Sequence, residues 1–298
     1  TVLIVSHNND QIERLCNKAI WIEKGHTRMM GAAGDVCRAY RVLGGHVGSP
    51  ESEATVFEML NADHVVPSGT IKTISGENRY GTSAKLIDQC DFEPGGNVIL
   101  ASPDWQLPCM AAQGLSGVLN APILLTRYDS LADSTAQELM SLKPNKVAII
   151  GGEDVVSPNV ANQIGDYVSA NTSVERIDCN ESVQLCRLVF EYGKQEAKAN
   201  NALGYSRLAV IAHHDCIGDL ITLSPLLIAN RIPVFFIRGL GDVDSETASA
   251  ITGGDFEKLL VLGVDLHIPD AFLAKCESHG ISCNRLVGKN PYDANEII

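Results

Sequence analysis

Residues 97–126, NVILASPDWQLPCMAAQGLSGVLNAPILLT, read as strand, helix and strand. A worn copy of the stretch returns at residues 208–238, LAVIAHHDCIGDLITLSPLLIANRIPVFFIR. Laying Leu100-Ala101 on Ile211-Ala212 and Pro122 on Pro233 gives the same offset of 111 residues at both anchors, with no gap between them. The middle of the chain is therefore a tandem repeat. The apolar runs in each copy are short and do not alternate with polar residues, which marks strands buried on both faces of a parallel sheet.

Working outward from the first copy, residues 73–82 form a turn-rich opening, with Thr82 a candidate N-cap for a helix over 83–90. The spacing predicts a strand at 98–101 and a helix at 108–119. The small residues of that helix, Ala111, Ala112, Gly114, Ser116 and Gly117, suit close packing on a sheet. A strand at 123–125 follows, then a helix over 135–142 opened by a capping box at Ser134-Thr135-Ala136-Gln137. A third strand at 146–150 ends at Gly151-Gly152, and Ser157-Pro158 starts another helix with proline at its first position. The second copy repeats the plan, with strands at 208–212, 234–237 and 259–262 and helices at 220–230, 245–251 and 269–278. Strands alternating with helices imply βαβ units, hence an α/β fold of tandem small parallel-sheet repeats. Residues 285–293, RLVGKNPYD, resemble residues 73–81, TISGENRYG, so a third repeat is expected to begin there.

The chain has 298 residues, 45% of them hydrophobic, and a net charge of −13, enough for more than one core and contrary to a phosphate-backbone ligand. No nucleic-acid partner is expected. Nine cysteines are scattered without a CxxC pair, so neither a zinc knuckle nor a thioredoxin-like motif is expected; free, mostly buried thiols of a reducing compartment fit better. No apolar run reaches the roughly 18 residues of a membrane span, and no signal peptide is apparent. The chain opens in mid-strand and is expected to be a fragment of a longer protein. His213-His214-Asp215-Cys216 follows a strand, but adjacent residues on such a loop are expected to point apart, and no metal site is predicted.

Two families resemble parts of the chain. Residues 1–40, TVLIVSHNNDQIERLCNKAIWIEKGHTRMMGAAGDVCRAY, resemble the C-terminal part of an ABC-transporter ATPase of the polysaccharide- or teichoic-acid-exporting kind, through Val5-Ser6-His7, Cys16, Ile20-Trp21-Ile22, Lys24-Gly25 and the helix ending at Tyr40. The resemblance implies that His7 stands beside the γ-phosphate of ATP, with Mg, in a longer parent. It also implies an ATPase dimer and a membrane permease subunit as partners. The phosphate-cradling GxxxxGK[ST] motif, signature loop and Walker B acids are absent, so this chain alone is expected to bind no cofactor and hydrolyse no ATP.

From residue 70 onward the chain resembles the type 2 cell-wall-binding repeat, through ISGENRYGTSA at 74–84, NAPILLT at 120–126 and KVAIIGGEDVVS at 146–157. In that family three repeats surround a pseudo-threefold axis and bind anionic wall polymers noncovalently. The resemblance points to Arg79, Tyr80 and Asp219 as ligand contacts, arginine for phosphate or carboxylate and tyrosine for sugar stacking, while Trp105, in the loop after the first strand, either packs under the helix or stacks on a carbohydrate. Arg79 has a competing role as an ion pair locking the opening turn. The second repeat lacks the Arg-Tyr pair, and the family acid survives as Asp219 but not at Pro108.

The expected organisation is an incomplete ATPase tail at 1–45, a linker at 46–69, repeats at 70–175 and 176–284, and the start of a third at 285–298. The expected function is recognition of an anionic cell-wall glycan for a cytoplasmic exporter held at the membrane by its permease. The alternative is a noncovalent wall-anchoring module without a transport role.

Overall fold

A computed structural model describes residues 12–13, 16–23, 26–43, 74–239, 243–262 and 268–286. His7, the linker at 46–69 and most of the expected third repeat lie outside the described residues. The chain divides into one unit at residues 1–72 and another at 73–298.

In the first unit, β1 (Lys18–Glu23) and β2 (His26–Ala32) pair antiparallel as a hairpin, with a register shift at Trp21/Ile22. Helix α1 (Ala33–Leu43) follows, burying Val36 and Cys37 and setting Tyr40 edge-on to Trp21 with ring centroids 5.2 Å apart.

The second unit holds two four-stranded parallel sheets. In the first, β3 (Asn97–Ala101) is flanked by β4 (Ile123–Leu125) and β5 (Lys146–Ile150), and β6 (Ser173–Ile177) adds beyond β5, in the order β4-β3-β5-β6. The second sheet has the same plan: β7 (Leu208–His213) lies between β8 (Val234–Ile237) and β9 (Lys258–Leu262), and β10 (Ser282–Leu286) completes it. Parallel strands need crossovers, here supplied by α3 (Gln106–Leu119), α4 (Asp133–Leu142) and α5 (Pro158–Ile164) in the first repeat. Helices α7 (Ile217–Ala229), α8 (Ser245–Thr252) and α9 (Asp270–Ser278) do the same in the second. The tandem parallel α/β architecture read from the sequence is the architecture found.

Strand alternation divides the core. Val98 and Leu100 join Leu139, Val147, Ile149 and Val160 on one face of the first sheet. Ile99 and Ala101 point the other way, into a cluster that also contains Leu185, Val189, Leu220, Leu223 and Leu227 from the second repeat. The two repeats thus share one core, centred on α3 with α6 (Ser182–Ala199) and α7 against it.

This placement corrects the expected role of the small residues in α3. A Cβ on Gly117 would stand 2.1 Å from the carbonyl oxygen of Ile228, and one on Gly114 would stand 2.3 Å from that of Ile232. The glycines admit the backbone of the next repeat rather than their own sheet. Helix α6, 18 residues long and capped by the Glu181 carboxylate on the Gln184 amide, was not anticipated, although Leu185, Cys186, Val189, Phe190, Gly193 and Ala197 are buried at helical spacing.

The repeats also interlock through their opening segments. Arg176, expected to open the second repeat, lies in β6 and so belongs to the first sheet, crossing the expected boundary at 175/176. Its guanidinium donates to the carbonyls of Gly151 and Val156, both at 2.8 Å. Gly151 itself sits at φ +113, which explains a glycine there. Arg285 in β10 does likewise for the second sheet, donating to the Ile268 carbonyl at 2.9 Å and to Asp270 at 3.0 Å. Two expected caps are replaced. Asn78, not Thr82, caps α2 (Arg79–Ile87), while the Thr82 hydroxyl accepts from the Gly76 amide. The capping box expected from Ser134 does not form: Ala132 is the cap, without a side-chain bond, and Thr135 donates to the Leu125 carbonyl at 2.6 Å.

Two outcomes follow from this packing. Gly117→Ala should cost about 1–3 kcal/mol in denaturant unfolding because backbone cannot retreat from the new methyl, whereas Gly218→Ala, with open space around its Cβ, should cost almost nothing. Burial and the neighbouring Asp88 carboxylate push Glu138 up to about 7. A raised carboxyl pKa gives stability that is present below the unfolded value near 4.5 and is lost as pH rises through about 7. Because Asp88 is exposed and water screens the pair, the loss should be roughly 1–2 kcal/mol, and Glu138→Gln should flatten the melting profile between pH 5 and about 8.

Candidate functional site in the cleft between repeats

Loops at the carboxyl ends of parallel strands are where open α/β sheets gather polar groups, because the crossovers diverge there and leave a crevice. Both sheets follow this rule. In the first repeat, α2 begins with Arg79 and Tyr80 because Asn78 accepts from the Tyr80 and Gly81 amides, each at 3.0 Å. The Arg79 guanidinium then donates to Asp104 and to the Tyr80 hydroxyl, both at 3.0 Å. Arg127, just past β4, lays its guanidinium carbon 5.2 Å from the Tyr80 ring centre, and that of Arg79 is 5.1 Å away. Tyr80 is only 8% exposed. It is therefore a platform for two cations rather than an open stacking surface for a sugar. Arg79 does form the ion pair considered for it, but half exposed and with donors facing water.

The second repeat reproduces part of this set at the same offset. Asp215 stands where Asp104 does and Arg238 where Arg127 does, while Ser182, the first residue of α6 and 103 positions after Arg79, takes the place of Arg79 at the start of its helix. Arg238 donates to the Ser182 hydroxyl and lies 3.8 Å from Glu181, its guanidinium still 59% exposed. Between these two strand-end regions lies a cleft of about 440 Å³, lined among others by Asp104, Trp105, Ser182, His214, Ile217 and Arg238. Trp105 is half-buried, packed on the core by one part and lining the cleft with another. Asp219 falls in the first turn of α7 near this cleft wall; its side chain lies outside the described atoms.

The loop 213–216 departs from expectation. His213, His214 and Asp215 do not point apart: one ligand atom from each lies within 4.8 Å of the others. No sequence signal foretold this, since it depends on how the 3-10 turn His214–Cys216 folds the three side chains back on one another.

Comparisons with known proteins agree with this architecture. Residues 73–161 match the family described as Cell wall binding domain 2 (CWB2). The chain is 26% identical over 224 residues to the N-acetylmuramoyl-L-alanine amidase LytC of Bacillus subtilis, covering 75% of this chain and 41% of that protein. It is 25% identical over 214 residues to the amidase enhancer of the same organism, covering 71% and 28%. The chain thus spans less than half the length of the curated relatives it matches. Among solved structures, Cwp6 from Clostridium difficile superposes with a TM-score of 0.62 at 21% identity, over 74% of this chain and 34% of that one. Cwp8 from the same organism gives 0.62 at 17%, over 83% and 40%.

These findings correct the expected location. The match of residues 73–161 to a cell wall binding domain and the similarity to an N-acetylmuramoyl-L-alanine amidase point to the cell wall and not to the cytoplasm. None of them supports the expected ATPase tail, permease subunit or ATPase dimer. Of the nine thiols that suggested a reducing compartment, only three, Cys37, Cys186 and Cys276, are buried. At residues 73–161 the chain contains cell-wall-binding repeat sequence, and it folds as tandem α/β units.

The geometry at the opening turn separates a cap from an ion pair. Asn78→Ala should cost about 1 kcal/mol by losing the helix cap, whereas Asp104→Ala should cost under about 0.5 kcal/mol because its partner is exposed; paired thermal melts would check the order.

Proposed function

We propose that this chain is a noncovalent cell-wall-binding module, and that an anionic wall polymer docks in the cleft between its repeats. The match of residues 73–161 to a cell wall binding domain carries the proposal. The physical support is local: a chain of net charge −13 repels an anionic polymer at long range, so attraction must come from short-range donors. Arg238 supplies such donors in the cleft lining beside the apolar edge of Trp105, and Arg79, bonded to the lining residue Asp104, and Arg127, stacked with it on Tyr80, add further cations near the first repeat's strand ends. Arginine suits the task because its fork of donors matches phosphate or carboxylate oxygens in pairs. The kinship with an amidase and an amidase enhancer fits a module that keeps its parent at the wall; no hydrolytic group is proposed in this chain. An exporter-coupled role rests only on the resemblance of residues 1–45, and nothing in the described hairpin and helix favours it.

Sedimentation with purified Gram-positive walls tests the reading. The chain should pellet with intact walls and remain in solution with walls stripped of their anionic polymers. Arg238→Ala should weaken binding about 5–20-fold, corresponding to about 1–2 kcal/mol for a charge-assisted contact, and added salt should weaken the unmodified chain in the same direction. Equal pelleting with stripped walls would overturn the polymer as ligand.

A further inference from the structure

The geometry points to a divalent-cation site at His213, His214 and Asp215, on the wall of the cleft between the repeats. His213 is 3% exposed, and its Nε2 lies 3.1 Å from the carbonyl oxygen of Arg238. A carbonyl can only accept, so Nε2 carries the proton and Nδ1 presents a lone pair. That lone pair faces the Asp215 carboxylate, with Nδ1 3.4 Å from Oδ2. The same nitrogen also takes a long contact from the Asp215 backbone amide, at 3.4 Å, which a metal bond would replace. His214 adds its Nε2 at 3.1 Å from the other carboxylate oxygen, while its Nδ1 is buried without a hydrogen-bond partner. Ligand atoms around a tetrahedral ion with bonds of about 2.0–2.2 Å stand about 3.3–3.6 Å apart, close to the separations found here.

The remaining features are those of a ligand set rather than an ordinary loop. A histidine that ligates through one nitrogen commonly donates the other to a carbonyl, which fixes its orientation, as the Arg238 carbonyl does for His213. Two imidazoles and a carboxylate suit a zinc-class transition ion over calcium or magnesium, which prefer all-oxygen sets. Three protein ligands leave one position open, and His214 lines the cleft, so that position faces the space where an anionic ligand would sit. The first repeat has Ser102-Pro103-Asp104 in the same place, which confines the site to the second repeat. The cation would share the cleft lining with Arg238 and add positive charge there. That consequence rests on the proposed function, whereas metal binding itself does not.

Cobalt(II) titration of the whole chain under reducing conditions, followed by zinc competition, tests the site. One equivalent should bind with visible ligand-field bands and without the near-ultraviolet sulfur charge-transfer band that any of the nine cysteines would produce. His214→Ala and Asp215→Asn, both at partly exposed positions that should leave folding intact, should each weaken binding by more than about tenfold, and Cys216→Ser should leave it unchanged. Binding that survives both substitutions, or that carries the sulfur band and falls with Cys216→Ser, would overturn the assignment, as would no binding at all. Wall sedimentation with and without a chelator then separates the two ideas. Loss of wall binding with intact metal uptake would count against the polymer cleft and leave the metal site standing.

Discussion

The arrangement of the second unit depends on the close approach of α3 to the backbone of the following repeat. Gly114 and Gly117 have no side chain to hold the Ile228 and Ile232 carbonyls away, so two helices from the second repeat settle against one from the first. At that separation Leu115, Leu185, Val189, Leu220, Leu223 and Leu227 lose water together, each burial contributing on the order of 1.5–3 kcal/mol. Neither repeat buries so much apolar surface alone, because the cluster on one face of each sheet draws its side chains from both repeats.

A second tie reinforces this shared core. The opening strand of each repeat completes the sheet before it, and its arginine fastens the loop that follows the third strand. Lys146 adds a polar clasp, with Glu175 at 3.0 Å and Glu196 at 2.8 Å, and Glu175 accepts from the Tyr192 hydroxyl at 2.8 Å. These contacts join β5, β6 and α6 at the edge of the core. The cleft is a by-product of the same geometry: packing the repeats through α3, α6 and α7 brings the carboxyl ends of β3, β7 and β8 to one side. Residues of both repeats, such as Gln106 and Ile217 at 111 positions apart in the chain, thereby line one depression.

Legibility in the sequence followed the range of the interaction. The strands at 97–101, 123–125 and 146–150 were readable because each is a compact apolar run whose burial depends on its own composition. Pro158 at the first turn of its helix was readable because proline acts on its own φ. The capping residue of α2 was misplaced by four positions, since Asn78 and Thr82 both offer an acceptor and only the folded turn decides which amides are left over. The burial of Tyr80 was not legible, because part of its cover comes from Arg127, 47 residues away in sequence.

The sequence by itself determined the repeat, the order of its elements, the parallel α/β class and the kinship with wall-binding domains, because all of these are carried by local pattern and motif. Only the tertiary structure decided that the small face of α3 serves the neighbouring repeat, that Arg176 belongs to the first sheet, and that Arg238, Trp105 and His214 meet at one cleft. It also decided that His213, His214 and Asp215 converge. The physical reason is that a residue's own burial tendency is written in its side chain, whereas the identity of what covers it depends on which distant backbone can come close enough, and here two glycines set that distance.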